Sequence, residues 1–246
     1  MSNYLKLNQD RWNHVNNDYT EPVTHEELEG AKKHPISVAL TVGKKVPKEW
    51  FEKANGKKIL GLACGGGQQG PVFAIKGYDV TIMDFSKSQL QRDDMVAKRE
   101  GLKINTVQGD MTKPFPFENE TFDIVFHPVS NCYVEDVQHV FNEAYRVLKK
   151  GGIFLAGLNN EINYIVDNEE KEIVWKMPFN PLKDKAAKEY MIKGNSGIQF
   201  SHNMTEQIGG QLKAGFTLLD IYEDTNGFGR LHELNIKTYI ATKSVK

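Results

Sequence analysis

At 246 residues, 39% hydrophobic and 26% charged, the chain is long enough for one α/β domain with a full core. A net charge of −1, counting the seven histidines as neutral, gives no global field to draw in nucleic acid or an anionic membrane. Cys64 and Cys132 form no C-x-x-C and have no histidine pair beside them, so they read as reduced thiols of a cytoplasmic protein rather than a disulfide or a zinc site.

The first residues, MSNYLKLNQDRWNHV, are polar and lack the apolar core of a signal peptide, and no apolar run reaches membrane-spanning length. Residues 1–56 read as short helices. Thr24 and Glu27 have the S/T-x-x-E form of a capping box, Pro35 closes that helix, and Pro47 opens another, PKEWFEKAN, that Gly56 ends. From Lys57 strands and helices alternate. KKILGLA runs into a loop of three glycines, and Pro71 fits the first turn of a helix that reaches Lys76 and stops at Gly77. DVTIMDF (79–85) is a second strand, after which Ser86 with Gln89 can cap KSQLQRDDMVAKRE. INTVQGD (104–110) and TFDIVFHP (121–128) are the third and fourth strands. A long amphipathic helix is predicted over Val134–Lys150, ended by Gly151 and Gly152, before the fifth strand IFLAGLN.

Residues 159–200 break this rhythm with the charge run DNEEKE, Trp175 and aromatics near prolines and glycines. They are expected to form a lid or inserted hairpin, with DNEEKE as a solvated face. Asn203 and Glu206 then repeat the capping-box pattern before MTEQIGGQLKAG. FTLLDIYED and IKTYIATK have no long crossover between them and are expected to pair antiparallel. The alternation predicts a three-layer α/β sandwich whose seven-stranded sheet is mostly parallel, with an antiparallel last strand.

In an open sheet of this kind, ligands bind beyond the carboxyl ends of the strands, where the strand order reverses. Four candidate ligand positions fall at such ends: the glycine loop, Asp84, Asp110 and His127. Glycines after the first strand let the backbone approach a ligand and expose amides at a helix start. Asp84, nineteen positions after Gly65, can accept from both hydroxyls of a ribose. Asp110, after Gly109, can accept from the exocyclic amine of adenine, with Met111 as an apolar wall for the ring. Together these point to an adenosine-containing ligand.

The stretches KILGLACGGGQQG, VTIMDFS, QGDMTKPFPFENETFDIVF and YRVLKKGGIFLAG resemble the successive motifs of class I S-adenosylmethionine-dependent methyltransferases, in the small-molecule branch related to quinone-biosynthesis enzymes. The resemblance covers about residues 55–160 and implies a Rossmann-like fold. The expected organisation is one domain, 1–246, with an N-terminal helical cover (1–56), an S-adenosylmethionine-binding core (57–158), a lid or insertion (159–202) and a C-terminal helix with a strand pair (203–246). The resemblance implies that Ala63, Gly65 and Gly67 approach the methionine end, that Asp84 holds the ribose, and that Phe85 and Met111 flank adenine with Asp110 on its amine. The His127 backbone would face the ligand's amino group, and Gln68, Gln69, Gln89 and Gly109 complete the implied contacts. The expected reaction is in-line methyl transfer to a small organic acceptor, with S-adenosyl-L-homocysteine as product and neither nucleic acid nor membrane as partner. Two positions depart from the family: Gly61 stands where an acidic residue is usual, and Ala63 where a glycine is.

Gly65, Gly67 and Gly70 also satisfy the G-x-G-x-x-G of an NAD(P)-dependent oxidoreductase, and Tyr145 with Lys149 makes a Y-x-x-x-K. That reading gives no reason for Gly109-Asp110. A non-catalytic S-adenosylmethionine-binding protein is a further alternative, because methyl transfer asks little of the protein beyond alignment. Should an acceptor need to lose a proton, His127, Asn131 and His202 are the catalytic candidates, with Tyr133, Tyr222 and Glu223 nearby as pocket walls or surface groups. Trp12 and Tyr19 could close over the ligand.

Overall fold

The computed structural model describes residues 3–15, 21–52 and 54–246. Its strands are β1 (Lys58–Leu62), β2 (Asp79–Asp84), β3 (Ile104–Gln108), β4 (Phe122–His127), β5 (Leu148–Asn159), β6 (Thr217–Asp224) and β7 (Tyr239–Val245). They form one sheet in the order β3-β2-β1-β4-β5-β7-β6. The pairs among β1 to β5 are parallel, whereas β7 runs antiparallel to both β5 and β6.

Side chains alternate across the strands, and both faces are covered. Ile59, Ile124, Phe126, Ile153 and Leu155 join one core cluster; Leu60, Leu62, Val125, Phe154 and Ala156 join another on the opposite face. Helices α4 (Gln69–Ile75) and α5 (Lys87–Glu100) follow β1 and β2, and α6 (Val137–Val147) with α8 (Met204–Ala214) packs on the second face. The remaining helices are α1 (Asn3–His14), α2 (His25–Lys33), α3 (Glu49–Glu52), α7 (Lys185–Gly194) and α9 (Gly229–Glu233). Both capping boxes form as their residues require, Thr24 with Glu27 and Asn203 with Glu206, and Ser86 accepts from the Gln89 amide at the start of α5.

Two elements differ from the sequence expectation. The helix predicted over Val134–Lys150 is shorter at both ends, because Asp136 caps it and Leu148 pairs with Phe122 of β4. LKKGG is therefore strand, extending β5 to twelve residues. The N-terminal cover is also not all helix. Between α2 and α3 the chain makes a strap, residues 37–46, bridged by Ala39 and Lys45 and by Val46 N–H donating to Val38 O at 2.9 Å.

The segment over 160–200 has its own apolar cluster. Tyr164, Phe179, Ala187, Met191, Ile198 and Phe200 pack together with Cys132, and Tyr4 and Leu7 of α1 lie against them. Asn8 fastens α1 to this segment, donating to Ile198 O at 3.0 Å and accepting from Ile198 N–H at 2.6 Å. The DNEEKE turn is not wholly solvated: Glu170 accepts from the Leu231 amide at 2.7 Å and so caps α9.

Candidate functional site

The strand order reverses between β1 and β4, and there, beyond the carboxyl ends of the strands, the structure opens a cavity of about 1130 Å³. Its floor is the loop after β1. Ala63 takes φ +49 and donates its amide to Met83 O at 2.8 Å. The Gly65 amide donates to Asp84 Oδ2 at 3.0 Å, and the Gly66 amide donates to Asp93 Oδ2 at 2.9 Å. A Cβ on Gly65 would lie 2.8 Å from Gln89 Cβ, so only glycine lets this backbone sit against α5. Gly67 takes φ +73, and its carbonyl accepts from the Val23 amide of the N-terminal cover.

Asp84 closes the end of β2. Besides Gly65 it accepts from the Ser86 amide at 2.9 Å through its other oxygen. Burial pushes its carboxyl above the ordinary range, against the pull of these amides. Asp110, after β3, binds through Oδ1 to both the amide and the hydroxyl of Thr112, at 2.8 and 2.7 Å. Phe85, Gly109 and Met111 line the same cavity beside it. Gln89 donates to Trp12 O at 2.9 Å, while its Oε1 is buried without a partner.

Of the residues singled out for the cofactor, Ala63, Gly65, Gln68, Gln69, Asp84, Phe85, Gln89, Gly109, Asp110 and Met111 are brought together on this wall. Gly67 and His127 are not: Gly67 is turned towards Pro22 and the Arg92 carbonyl, and His127 is fully buried. Gln69 reaches the wall with its amide already used. Its Oε1 accepts from Ala39 N–H at 3.0 Å and its Nε2 donates to Ala39 O at 2.7 Å, which pins the strap.

The three catalytic candidates, His127, Asn131 and His202, lie behind the wall. The His127 ring is fully buried, stacked 6.3 Å from Phe154, with Nδ1 3.1 Å from Leu62 O and Nε2 2.7 Å from Asn131 Oδ1. Burial lowers its proton affinity. Asn131 is equally buried and donates to Gln207 Oε1 at 3.4 Å. His202 donates to Val134 O at 2.9 Å, and burial lowers its pKa too. The physical reason is common to the three: polar atoms of β1, α8 and the turn after β4 take up their hydrogen bonds inside the core.

Tyr133 lines the cavity edge-on to Trp12, ring centroids 5.6 Å apart, and its hydroxyl is pushed well above its ordinary pKa by burial. Tyr222 packs on Trp50 beneath the strap, and Glu223 is exposed. Tyr19 lies outside the described residues. The Y-x-x-x-K pair also stays away from the cavity. Tyr145 stands edge-on to Phe216 in the core, and Lys149 forms an ion pair with Asp123 at 2.9 Å.

Sequence reading missed Asp93 and the strap. Asp93 carried a signal, since it interrupts the buried stripe of Leu90, Val96 and Ala97 on α5 with a charge. The strap carried none, because its anchors are remote. Besides Gln69, Asp224 Oδ2 accepts from Thr41 Oγ1 and from the amides of Gly43 and Lys44 at 2.8–2.9 Å. Burial alone would raise the Asp224 pKa, but these bonds and one from the Thr225 amide hold it below the usual value.

Among the described residues, no helix is long and apolar enough to cross a membrane, and no cluster of three or more histidine, cysteine, aspartate or glutamate side chains could hold a metal. Residues 60–156 match the family described as Methyltransferase domain. Over 237 residues the chain is 43% identical to the uncharacterized methyltransferase YbaJ of Bacillus subtilis, covering 94% of this chain and 92% of that protein. Its fold matches that of an S-adenosylmethionine-dependent methyltransferase from Mesorhizobium loti, with a TM-score of 0.62 at 18% identity over 89% of this chain and all of the other. Geranyl diphosphate C-methyltransferase from Streptomyces coelicolor matches with a TM-score of 0.62 at 14% identity, over 99% and 98%. With the glycine loop, Asp84 and Asp110 at one sheet edge and a relative of this similarity over 94% of its length, the chain belongs to the class I S-adenosylmethionine-dependent methyltransferases.

Proposed function

We propose that this methyltransferase acts on a small organic acceptor with an apolar body, by in-line transfer from S-adenosyl-L-methionine, releasing S-adenosyl-L-homocysteine. The observation that carries the proposal is the convergence of the glycine loop, Asp84 and Asp110 on a cavity of about 1130 Å³. That volume leaves room beside a nucleoside for a second molecule, since drug-sized ligands fill about 300–1,000 Å³. The residues fit the nucleoside: the Gly65 backbone approaches without a side chain, Asp84 reaches the wall, and Gln89 Oε1 is buried there without a partner.

S-adenosylmethionine supplies a methyl group already activated on a sulfonium. Asp84 would hold the ribose and Asp110 the adenine amine, with Phe85 and Met111 against the ring. Trp12, Tyr133, Phe228 and Tyr239 supply an apolar surface for the acceptor, and α1 with the strap keeps water out. With His127, Asn131 and His202 behind the wall, the cavity contributes alignment and dryness rather than proton abstraction by these groups. A protein of similar fold holds geranyl diphosphate, whose geranyl chain is apolar, in keeping with an acceptor that has an apolar body.

Titration calorimetry with S-adenosylhomocysteine and with NAD, followed by S-adenosylhomocysteine release on a panel of phenols, thiols, amines and isoprenoid alcohols, tests this. Binding of the first ligand alone and turnover on an apolar member of the panel are expected. Binding of NAD with no heat from S-adenosylhomocysteine overturns the proposal.

A further inference from the structure

Asp93 is fully buried on α5, a place where an ionised carboxylate loses its hydration and needs a reason to be kept. It is not among the residues that line the cavity. What it touches is the underside of the glycine loop: Oδ2 accepts from the Gly66 amide at 2.9 Å. Oδ1 has no partner, and a Cβ on Gly70 would come within 2.8 Å of it, so the loop and the start of α4 are packed around this carboxyl. The next amide back along the loop, Gly65, is held by Asp84. Two carboxylates from separate elements thus take successive amides of one turn. At Gly61, where a carboxylate on β1 itself would stand, a Cβ would lie 2.6 Å from Ile82 Cδ1, so a side chain there would require Ile82 to move.

We propose that Asp93 is the positioning residue of the cofactor loop: by accepting from the Gly66 amide it fixes the backbone on whose opposite side the methionine end of the cofactor rests. This rests on the S-adenosylmethionine reading given above. An amide donates more strongly to a carboxylate than to a carboxylic acid, so the loop is held best when Asp93 is ionised. The titratable groups that face Asp93 are Asp84 at the end of β2, Cys64 in the loop and Asp94 on α5 itself. Burial first, then the neighbouring Asp84 and Asp94 charges, raise its pKa to about 7 despite the amides of Gly67 and Gly66. Ligand affinity therefore couples to the loss of one proton in the neutral range.

The test is calorimetric titration of S-adenosylhomocysteine from pH 6 to 8.5 with the wild-type protein and with Asp93→Asn, each checked for a cooperative melt. Wild-type affinity is expected to rise roughly fivefold across that range, the difference between a neutral and a charge-assisted hydrogen bond. Asp93→Asn keeps an oxygen for Gly66 but no charge. It is expected to melt cooperatively, to bind at every pH about as the wild type does at pH 6, and to lose the step near 7. An unchanged step in Asp93→Asn, or wild-type affinity at pH 8.5, overturns the role of Asp93 and leaves the cofactor reading standing. No heat from the wild-type protein at any pH overturns both.

Discussion

Asp84 spends one oxygen on Gly65 and the other on Ser86, so a single side chain ties the glycine loop to the end of β2, and in the proposed function its remaining lone pairs would accept from a ribose. Asp84→Ala should therefore lower affinity for S-adenosylhomocysteine by about 1–3 kcal/mol in calorimetry, through unpaired hydroxyls and a loosened loop together. Asp93 makes a separate prediction about stability. Its pKa is about 7 when folded, against an ordinary 3.8, so between these values the folded chain holds a proton that the unfolded chain has lost. Its contribution is present below about pH 4 and declines as pH rises to 7. Urea unfolding at pH 5 and pH 8 should show Asp93→Asn gaining stability relative to wild type at the higher pH. Equal differences at both pH values would contradict the raised pKa. Asp84 and Asp110 were legible because a strand end is a local feature. The burial of His127 and His202 was not, since Leu62, 65 residues from His127, and Val134, 68 residues from His202, meet them only once the chain has folded.

At the scale of elements, caps were readable and anchors were not. The Thr24–Glu27 and Asn203–Glu206 boxes are complete within four residues, so the pattern alone specifies them. The end of α6 was misread because Leu148 continues the helical stripe, yet pairing with Phe122 recruits it to the sheet. The strap is the extreme case: its shape is held by Gln69, thirty residues along the chain from Ala39, and by Asp224, which is 183 residues from Thr41. Gln69→Ala removes both bonds to Ala39 and should speed amide hydrogen exchange across residues 37–46, with a global stability loss of only about 1–2 kcal/mol. Exchange as slow as wild type would show that Asp224 alone suffices. The Asp224 anchor has the opposite pH sense to Asp93. Its pKa is depressed, so its contribution is present above the ordinary carboxylate value and is lost as pH falls through the folded one.

For the molecule as a whole, the sheet order puts the glycine loop, Asp84 and Asp110 at one edge, and α1, the strap and residues Ser196 and Gln199 line the cavity over that edge. A ligand that fills the cavity binds only the folded chain. S-adenosylhomocysteine at 100 times its Kd should therefore add about 2.7 kcal/mol and raise the melting temperature, while NAD should leave it unchanged. A thermal melt with each ligand checks this. The Rossmann-like core was legible because alternating strands and helices leave few topologies. The roof was not, because it is assembled from distant pieces of chain.

That distance has a consequence in time. Asn8 clasps Ile198, and Thr41 waits for Asp224. As the polypeptide leaves the ribosome Asn8 and Thr41 emerge well before the residues they dock on. The binding cleft thus stays roofless until Ile198 and Asp224 have been made.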